Sequence, residues 1–314
     1  MTAGPNVSGQ KTRPSAKRDN PAFSYRKAFR SCEDEMSWSE HDDPLSADAD
    51  PSAGLTDNQR VEKSIKILAD IGDTTFTRNP FTELKTKILL AASARSGSNL
   101  LCERLQDHGA RIGEVFNPRR MRTVCEEQDF RSIEQYCDYA VKTHDKTGVF
   151  GVKGSLTILA PLYLSGEFPQ NISSWKFVYL RREDTVKQAI SHLVAQLSGT
   201  FRSVKAGIPV DESQYDQEKL ISLISAHQRL DANWVNTFSN LGVEPYRITY
   251  ELLAEDPDQI AAQVAEYLDL PGQPIPNKKP PTLALQKQAN SLNAAWEARL
   301  RGERPDVCAT IPQS

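Results

Sequence analysis

The stretch KTKILLAASARSGSNLLCERLQDHG, Lys85 to Gly109, decides how the rest of the chain is read. An apolar run, Ile88-Leu89-Leu90-Ala91-Ala92, enters a short polar loop, Ala94-Arg95-Ser96-Gly97-Ser98-Asn99, and a helical pattern then runs to Gly109. Strand, loop and helix in that order make a cradle for an anion. The first N–H groups of a helix have no intrahelical partner and carry the positive end of its dipole. Gly97 lets an anion approach the backbone without a Cβ in the way. Ser96, Ser98 and Asn99 add side-chain donors, and Arg95 adds a planar guanidinium fork. The GxxxxGK[ST] signature of an ATP or GTP loop is absent: the loop has one glycine, and no lysine precedes Ser98. On the residues alone two readings stand, an anion site and an ordinary strand–helix turn with Ser98 as a cap.

Outward from this stretch, short apolar runs alternate with helical patterns. Strands are expected at 87–92, 148–154, 175–182 and 245–250. Helices are expected at 98–108, 126–142, 156–164, 183–197, 220–241 and 256–268, with a last one at about 283–301. The run WKFVYLRR is almost continuously apolar before its arginines, as a strand buried on both faces should be. The alternation predicts an α/β fold, a parallel sheet flanked by helices. Residues 56–84 read as a helical lead-in, with Val61, Ile65, Leu68 and Ile71 on one face and Thr56 or Asp57 as its cap. The main domain spans 85–303, and 304–314 form a C-terminal tail. Residues 1–55 are rich in Ser, Pro and charge and poor in apolar side chains, and are expected to be a disordered or loosely docked extension, with AFSYRKAF the segment able to dock.

Composition narrows the function. A formal charge of -3 over 314 residues gives no support to bulk nucleic-acid binding. The five cysteines are odd in number, widely spread and without a CxxC pair, so they read as free thiols rather than as disulfides or zinc ligands. No apolar run approaches the ~20 residues of a membrane span. The basic N-terminus has no apolar segment behind it, unlike a secretory signal. The expectation is a soluble, cytoplasmic protein.

Three other stretches bear on chemistry. In FVYLRREDTVKQAISHLVAQ a strand ends in Arg181-Arg182 and the following helix carries Ser191; the arginines suit a second phosphate or a solvated charge cluster. RITYELLAEDPDQIAAQVAEYLDLP reads as plain architecture. In ARIGEVFNP, Glu114 stands between Gly113 and the apolar pair Val115-Phe116.

Taken in order, ARSGSNLL, GEVFNP, GVFGVK, LRREDTVKQAIS, ITYELLAEDP and QKQANSLNAAW resemble the bacterial carbohydrate sulfotransferases typified by trehalose 2-sulfotransferase, over about residues 85–303. The resemblance implies a P-loop-like fold without a Walker lysine. It implies 3′-phosphoadenosine-5′-phosphosulfate (PAPS) as donor, no metal, and the hydroxyl of a carbohydrate, glycolipid or related small molecule as acceptor. Arg95 and the Ser96, Gly97, Ser98 and Asn99 segment would hold the 5′-phosphosulfate, with Arg95 also acting in catalysis. Glu114 would be the catalytic base. Arg181, or its neighbour Arg182, and Ser191 would hold the 3′-phosphate, with Lys287 in the QKQ segment near the nucleotide. Lys153 would reach the sulfonate or the acceptor, or serve only as a strand-end lysine.

Histidine is the competing base, with His108, His144 and His192 as candidates by position; His108 suits a helix end better. Some relatives are dimers, which leaves a homodimer open. Ala94 and Asn99 stand where relatives often have proline and threonine, and Gly154-Ser155 where they carry bulky residues, so the acceptor cleft is expected to differ in shape from a trehalose site. The competing functions are a small-molecule or nucleotide kinase with a degenerate loop and a non-catalytic nucleotide-binding protein of the same fold.

Overall fold

The computed structural model describes residues 57–144, 148–199, 208–275 and 291–308. The readings made on residues 1–55, on a cap at Thr56, on most of the Pro-rich connector after Gly272 and on Gln286-Lys287-Gln288 lie outside the described residues.

Five parallel strands form one sheet in the order β2-β3-β1-β4-β5: β1 (Thr86–Ala92), β2 (Ile112–Gly113), β3 (Val149–Gly154), β4 (Trp175–Arg181) and β5 (Tyr246–Thr249). The expected α/β architecture, a parallel sheet with helices on both faces, is borne out. Strand β1 lies at the centre, paired with β3 on one side and β4 on the other, so the chain winds outward from it in both directions. That makes the end of β1 the switch point of the sheet, where crevices open between diverging connections.

Pleating sorts the side chains. Ile88, Leu90 and Ala92 of β1 and Val178 and Leu180 of β4 face one apolar layer, which holds α2 (Ser98–Leu105) and α9 (Pro257–Tyr267). Leu89 and Ala91 of β1 and Phe177 and Tyr179 of β4 face the other, with α4 (Ile133–His144), α5 (Leu159–Leu164) and α7 (Gln217–Leu241). A third cluster joins α6 (Thr185–Ser198) and α7 to the late helix α10 (Ser291–Glu303), whose Trp296 and Leu300 are fully buried. Of the apolar face expected in the lead-in helix α1 (Asp57–Ala69), Val61 and Leu68 are buried and Ile65 is half-buried, while Ile71 lies just past the helix; Ser64 is buried beside them.

At the N-terminal end of the sheet, Lys87 and Glu167 form a buried ion pair at 2.6 Å. The Glu167 carboxylate also accepts from Asn79, Asn171 and Trp175 Nε1. Burial pushes this carboxyl up, but those hydrogen bonds outweigh it and hold the pKa below its ordinary value. A buried charge so fully paired is tolerable where an orphaned one is not.

Three local readings need correction. The expected helix 126–142 is two helices, α3 (Pro118–Glu127) and α4, broken where Asp129 adopts a φ of 53°. The sequence reading also missed the two-residue strand β2. This edge lies so close to β3 that a Cβ on Gly151 would sit 2.6 Å from Ile112 Cγ1. Tyr250, expected as the last residue of the strand 245–250, instead opens a short helix, α8 (Tyr250–Glu255), capped by the Thr249 hydroxyl.

Candidate functional site

Every strand of the sheet delivers something to one end. After β1 comes the loop from Ser93 to Gly97. Ser96 is buried and its hydroxyl donates to the Ser93 carbonyl at 2.8 Å, folding the loop back on itself. Arg95 takes a left-handed φ of 62° and Gly97 one of 88°. For a non-glycine residue that conformation costs on the order of 1–3 kcal/mol and is found where the surroundings enforce it. Gly97 precedes the first turn of α2, and a Cβ there would stand 2.6 Å from the Tyr250 ring. The Gln188 amide donates at 2.8 Å to both the Ser93 hydroxyl and the Ala94 carbonyl, pinning the loop to α6.

Arg95 turns toward α6, where its Nε donates to the Ser191 hydroxyl at 2.9 Å. Two residues assigned to the donor from the resemblance thus touch across 96 positions of sequence. Arg181 and Arg182 follow from the pleat. Arg181 points to the α7 side, one-third exposed and 3.7 Å from Glu183. Arg182 points to the loop side, where its guanidinium stacks 4.4 Å over the Tyr250 ring. Burial lowers the pKa of both Arg95 and Arg182; mutual repulsion lowers that of Arg95 further, while Tyr250 and Glu251 partly offset the effect at Arg182. Two desolvated guanidiniums side by side make a site that favours an anion.

On the other side of β1, Glu114 stands one residue beyond β2, and the register Gly113↔Val152 sets it opposite Lys153 of β3. Its side chain is half exposed, while the neighbouring Val115 and Phe116 are buried. The Tyr136 hydroxyl donates to the Val115 carbonyl, and the Asn117 backbone N–H donates to the Glu114 carbonyl. Asn117 then caps α3, accepting from the N–H groups of Arg119 and Arg120. The segment carrying Glu114 is therefore held at both ends. Lys153, almost wholly buried, reaches Glu114 Oε1 at 3.2 Å, Asn99 Oδ1 at 2.6 Å and Ser98 Oγ at 3.4 Å.

The histidines are placed differently. His108 ends the short helical turn after α2. His144 packs among Arg120, Thr143 and the Ala140 carbonyl. His192 Nδ1 lies 3.2 Å from Nε2 of buried His227. Among the described residues, no cluster of three or more His, Cys, Asp or Glu side chains could hold a metal ion. Nor, among them, is any helix long and apolar enough to cross a membrane.

The sequence reading took Tyr250 as plain architecture and did not notice Gln188. Arg301, which grips both oxygens of the helix-capping Asp184 at 3.1 and 3.0 Å, was also passed over. Such contacts carry no local signal, because they join residues of separate elements.

Residues 165–303 match the family model described as Stf0 sulphotransferase. A 129-residue stretch is 29% identical to a protein named trehalose 2-sulfotransferase from Mycobacterium tuberculosis, covering 41% of this chain and 46% of that relative. The chain thus matches about half the length of this curated relative. The family resemblance read from the sequence is borne out. The family match takes in Arg181, Arg182, Ser191 and Tyr250, and begins after the β1 loop, Glu114 and Lys153.

Proposed function

We propose that the chain, whose residues 165–303 match the Stf0 sulphotransferase family model, transfers a sulfonate from PAPS to a hydroxyl of a carbohydrate, glycolipid or related small molecule. The observation that carries this reading is the convergence, at one end of the sheet, of the loop after β1, flanked by Arg182 over Tyr250, with the Glu114 carboxylate, joined to Ser98 and Asn99 through Lys153. The residues present fit such a donor. Gly97 gives the loop a left-handed turn at φ 88° before the first N–H groups of α2, and the buried Nε of Arg182, 4.0 Å from Glu251, has no hydrogen-bond partner among the described residues.

In this proposal Arg95 and the backbone N–H groups of Ser96 to Asn99 hold the 5′ end of the donor. Arg182 adds charge on the loop side of β4. Arg181 and Ser191 hold the 3′-phosphate, and Lys287, which lies outside the described residues, is a further candidate near the nucleotide. When bound, the donor supplies a sulfonate on a phosphate leaving group. The acceptor oxygen forms a new S–O bond as the S–O bond to the leaving phosphate breaks, the two oxygens roughly in line as in phosphoryl transfer. Glu114 takes the hydroxyl proton. Arg95 and the loop amides face the charge that grows on the leaving oxygen, where one preorganised donor is worth about 3–4 kcal/mol.

The test is differential binding. Adenosine 3′,5′-bisphosphate should raise the melting temperature, since a ligand at 100 times its Kd stabilises by about 2.7 kcal/mol, and ATP with Mg²⁺ should not. The reverse preference would assign the loop to a kinase.

A further inference from the structure

One face of α6 holds the β1 loop. Gln188 and Ser191 stand three residues apart on that helix, and so on the same side of it. Gln188 Nε2 donates at 2.8 Å to the Ser93 hydroxyl and at 2.8 Å to the Ala94 carbonyl, while the Ser191 hydroxyl accepts from Arg95 Nε at 2.9 Å. Two side chains thus fix three consecutive loop residues. The Gln188 amide has one orientation only. The Ala94 carbonyl can do nothing but accept, so it must face Nε2, and both hydrogens of Nε2 are then used.

The carbonyl that Gln188 holds belongs to the peptide bond entering Arg95. In a trans peptide the C=O and N–H point opposite ways. Drawing the Ala94 carbonyl toward α6 therefore turns the Arg95 N–H away from that helix. It also fixes the plane from which Arg95 takes its φ of 62°. An arginine left to itself avoids that region, because its Cβ crowds the backbone carbonyls there. A flipped peptide would present a carbonyl oxygen in place of the N–H, and would repel an anion.

Stability does not explain the glutamine. Its side chain is fully buried, and its Oε1 has no hydrogen-bond partner among the described residues. A buried acceptor left unpaired destabilises a fold. The Thr185 hydroxyl, one turn earlier on the same side of α6, is also buried without a partner among them. A strained arginine and an orphaned amide oxygen meet across one hydrogen bond, and costs of this kind persist where function uses the geometry.

We propose that Gln188 is a positioning residue. It locks the Ala94–Arg95 peptide, so that Arg95 is set for the anionic end of the donor before the donor arrives. It touches neither donor nor acceptor and acts through Arg95. This inference rests on the proposed binding of the nucleotide at the β1 loop.

The experiment compares the full wild-type chain with Gln188→Met, Arg95→Gly and the double variant. Methionine keeps the length of the side chain and removes its donors. Glycine at 95 adopts the left-handed conformation unaided and carries no guanidinium, so nothing there remains for Gln188 to position. Calorimetry reads the affinity for adenosine 3′,5′-bisphosphate, and the ¹³C shifts of Arg95 in the nucleotide-free chain read its φ. Gln188→Met should melt within about 3 °C of wild type. It should bind the bisphosphate about 10-fold more weakly, the equivalent of 1.4 kcal/mol, and the Arg95 shifts should leave their left-handed values. In the Arg95→Gly background the same substitution should cost less than about 3-fold, because sites acting through one another do not add. Equal losses in both backgrounds, with the Arg95 shifts unmoved, would make Gln188 a support of the fold at large and overturn the inference. Unchanged affinity in Gln188→Met would overturn it as well. Gln188→Leu is the second variant, and failure of both to fold would give Gln188 a structural role and reject the proposal. A wild-type chain that does not bind the bisphosphate would remove the function on which the inference rests, and the inference with it.

Discussion

Arg182 lies over the ring of Tyr250, its guanidinium carbon 4.4 Å from the centroid, and the edge of the same ring closes on Gly97. Cation, aromatic plate and glycine make a stack that ties the ends of β4 and β5 to the loop after β1. A cation–π contact this buried is worth about 2 kcal/mol.

Gly97→Ala meets two obstacles at once, a φ of 88° and a Cβ contact at 2.6 Å. We expect a stability loss of about 1–3 kcal/mol and loss of bisphosphate binding. Thermal denaturation with and without the nucleotide checks both. Wild-type stability in this variant would mean that the stack is looser than described.

Arg181 and Arg182 are adjacent in sequence but serve opposite faces of the sheet. Arg182→Ala should weaken adenosine 5′-phosphate and adenosine 3′,5′-bisphosphate alike, because Arg182 sits with the loop. Arg181→Ala should weaken the 3′-phosphorylated compound selectively, by about 10-fold, the equivalent of 1.4 kcal/mol. Calorimetry with the two nucleotides distinguishes them, and the opposite pattern would exchange the two roles.

His227 and Asp231 lie one turn apart on α7, and their protons work against each other. Burial, with His192 and Arg182 nearby, takes His227 down to about 3, while burial takes Asp231 up to about 6 against the pull of Tyr179 and Arg181. Between about pH 6 and 4 the unfolded chain binds a proton at His227 that the native state refuses. That term lowers stability as pH falls through the unfolded value near 6.5. Over the same window the native state binds a proton at Asp231 that the unfolded chain lacks, and that term raises stability as pH falls. Each amounts to about 1.4 kcal/mol per pH unit, and together they nearly cancel. Asp231→Asn should therefore unmask acid destabilisation, and His227→Asn should make the chain more stable on acidification. Urea denaturation from pH 4 to 6 reads both slopes; identical slopes in the two variants would refute the pairing.

How much of this was legible beforehand follows from range. Strands β1 and β4 announce themselves as continuous apolar runs, and α7 by its periodicity ending at Gly242. The β1 loop was legible as a strand–turn–helix signal with Arg95 and Gly97 in place. Strand β2 was not, because two residues have no periodicity and their pairing depends on Gly151, 39 positions away from its partner Ile112. The start of α3 had a local mark, Asn117 followed by Pro118, which is a cap and a first-turn proline. The apolar face of the next helix, α4, is the stronger signal in this stretch. Glu114 could be named from its motif, but its pairing with Lys153 needs the β2–β3 register, and Arg95 with Ser191 needs the sheet to close. Arg181 and Arg182 could not be told apart until the pleat gave each a face.

In the proposed reaction Glu114 takes the acceptor proton at a loop that holds the sulfonated donor. The direct measurement is transfer of radiolabelled sulfonate from PAPS across a panel of sugars, glycolipids and small alcohols, for wild type and Glu114→Gln, with bisphosphate affinity measured alongside. The wild-type chain should give labelled product, and the variant should turn over about 10²–10⁴-fold more slowly with bisphosphate affinity within about 3-fold of wild type. Full transfer by Glu114→Gln, with its nucleotide affinity intact, would contradict this role of Glu114.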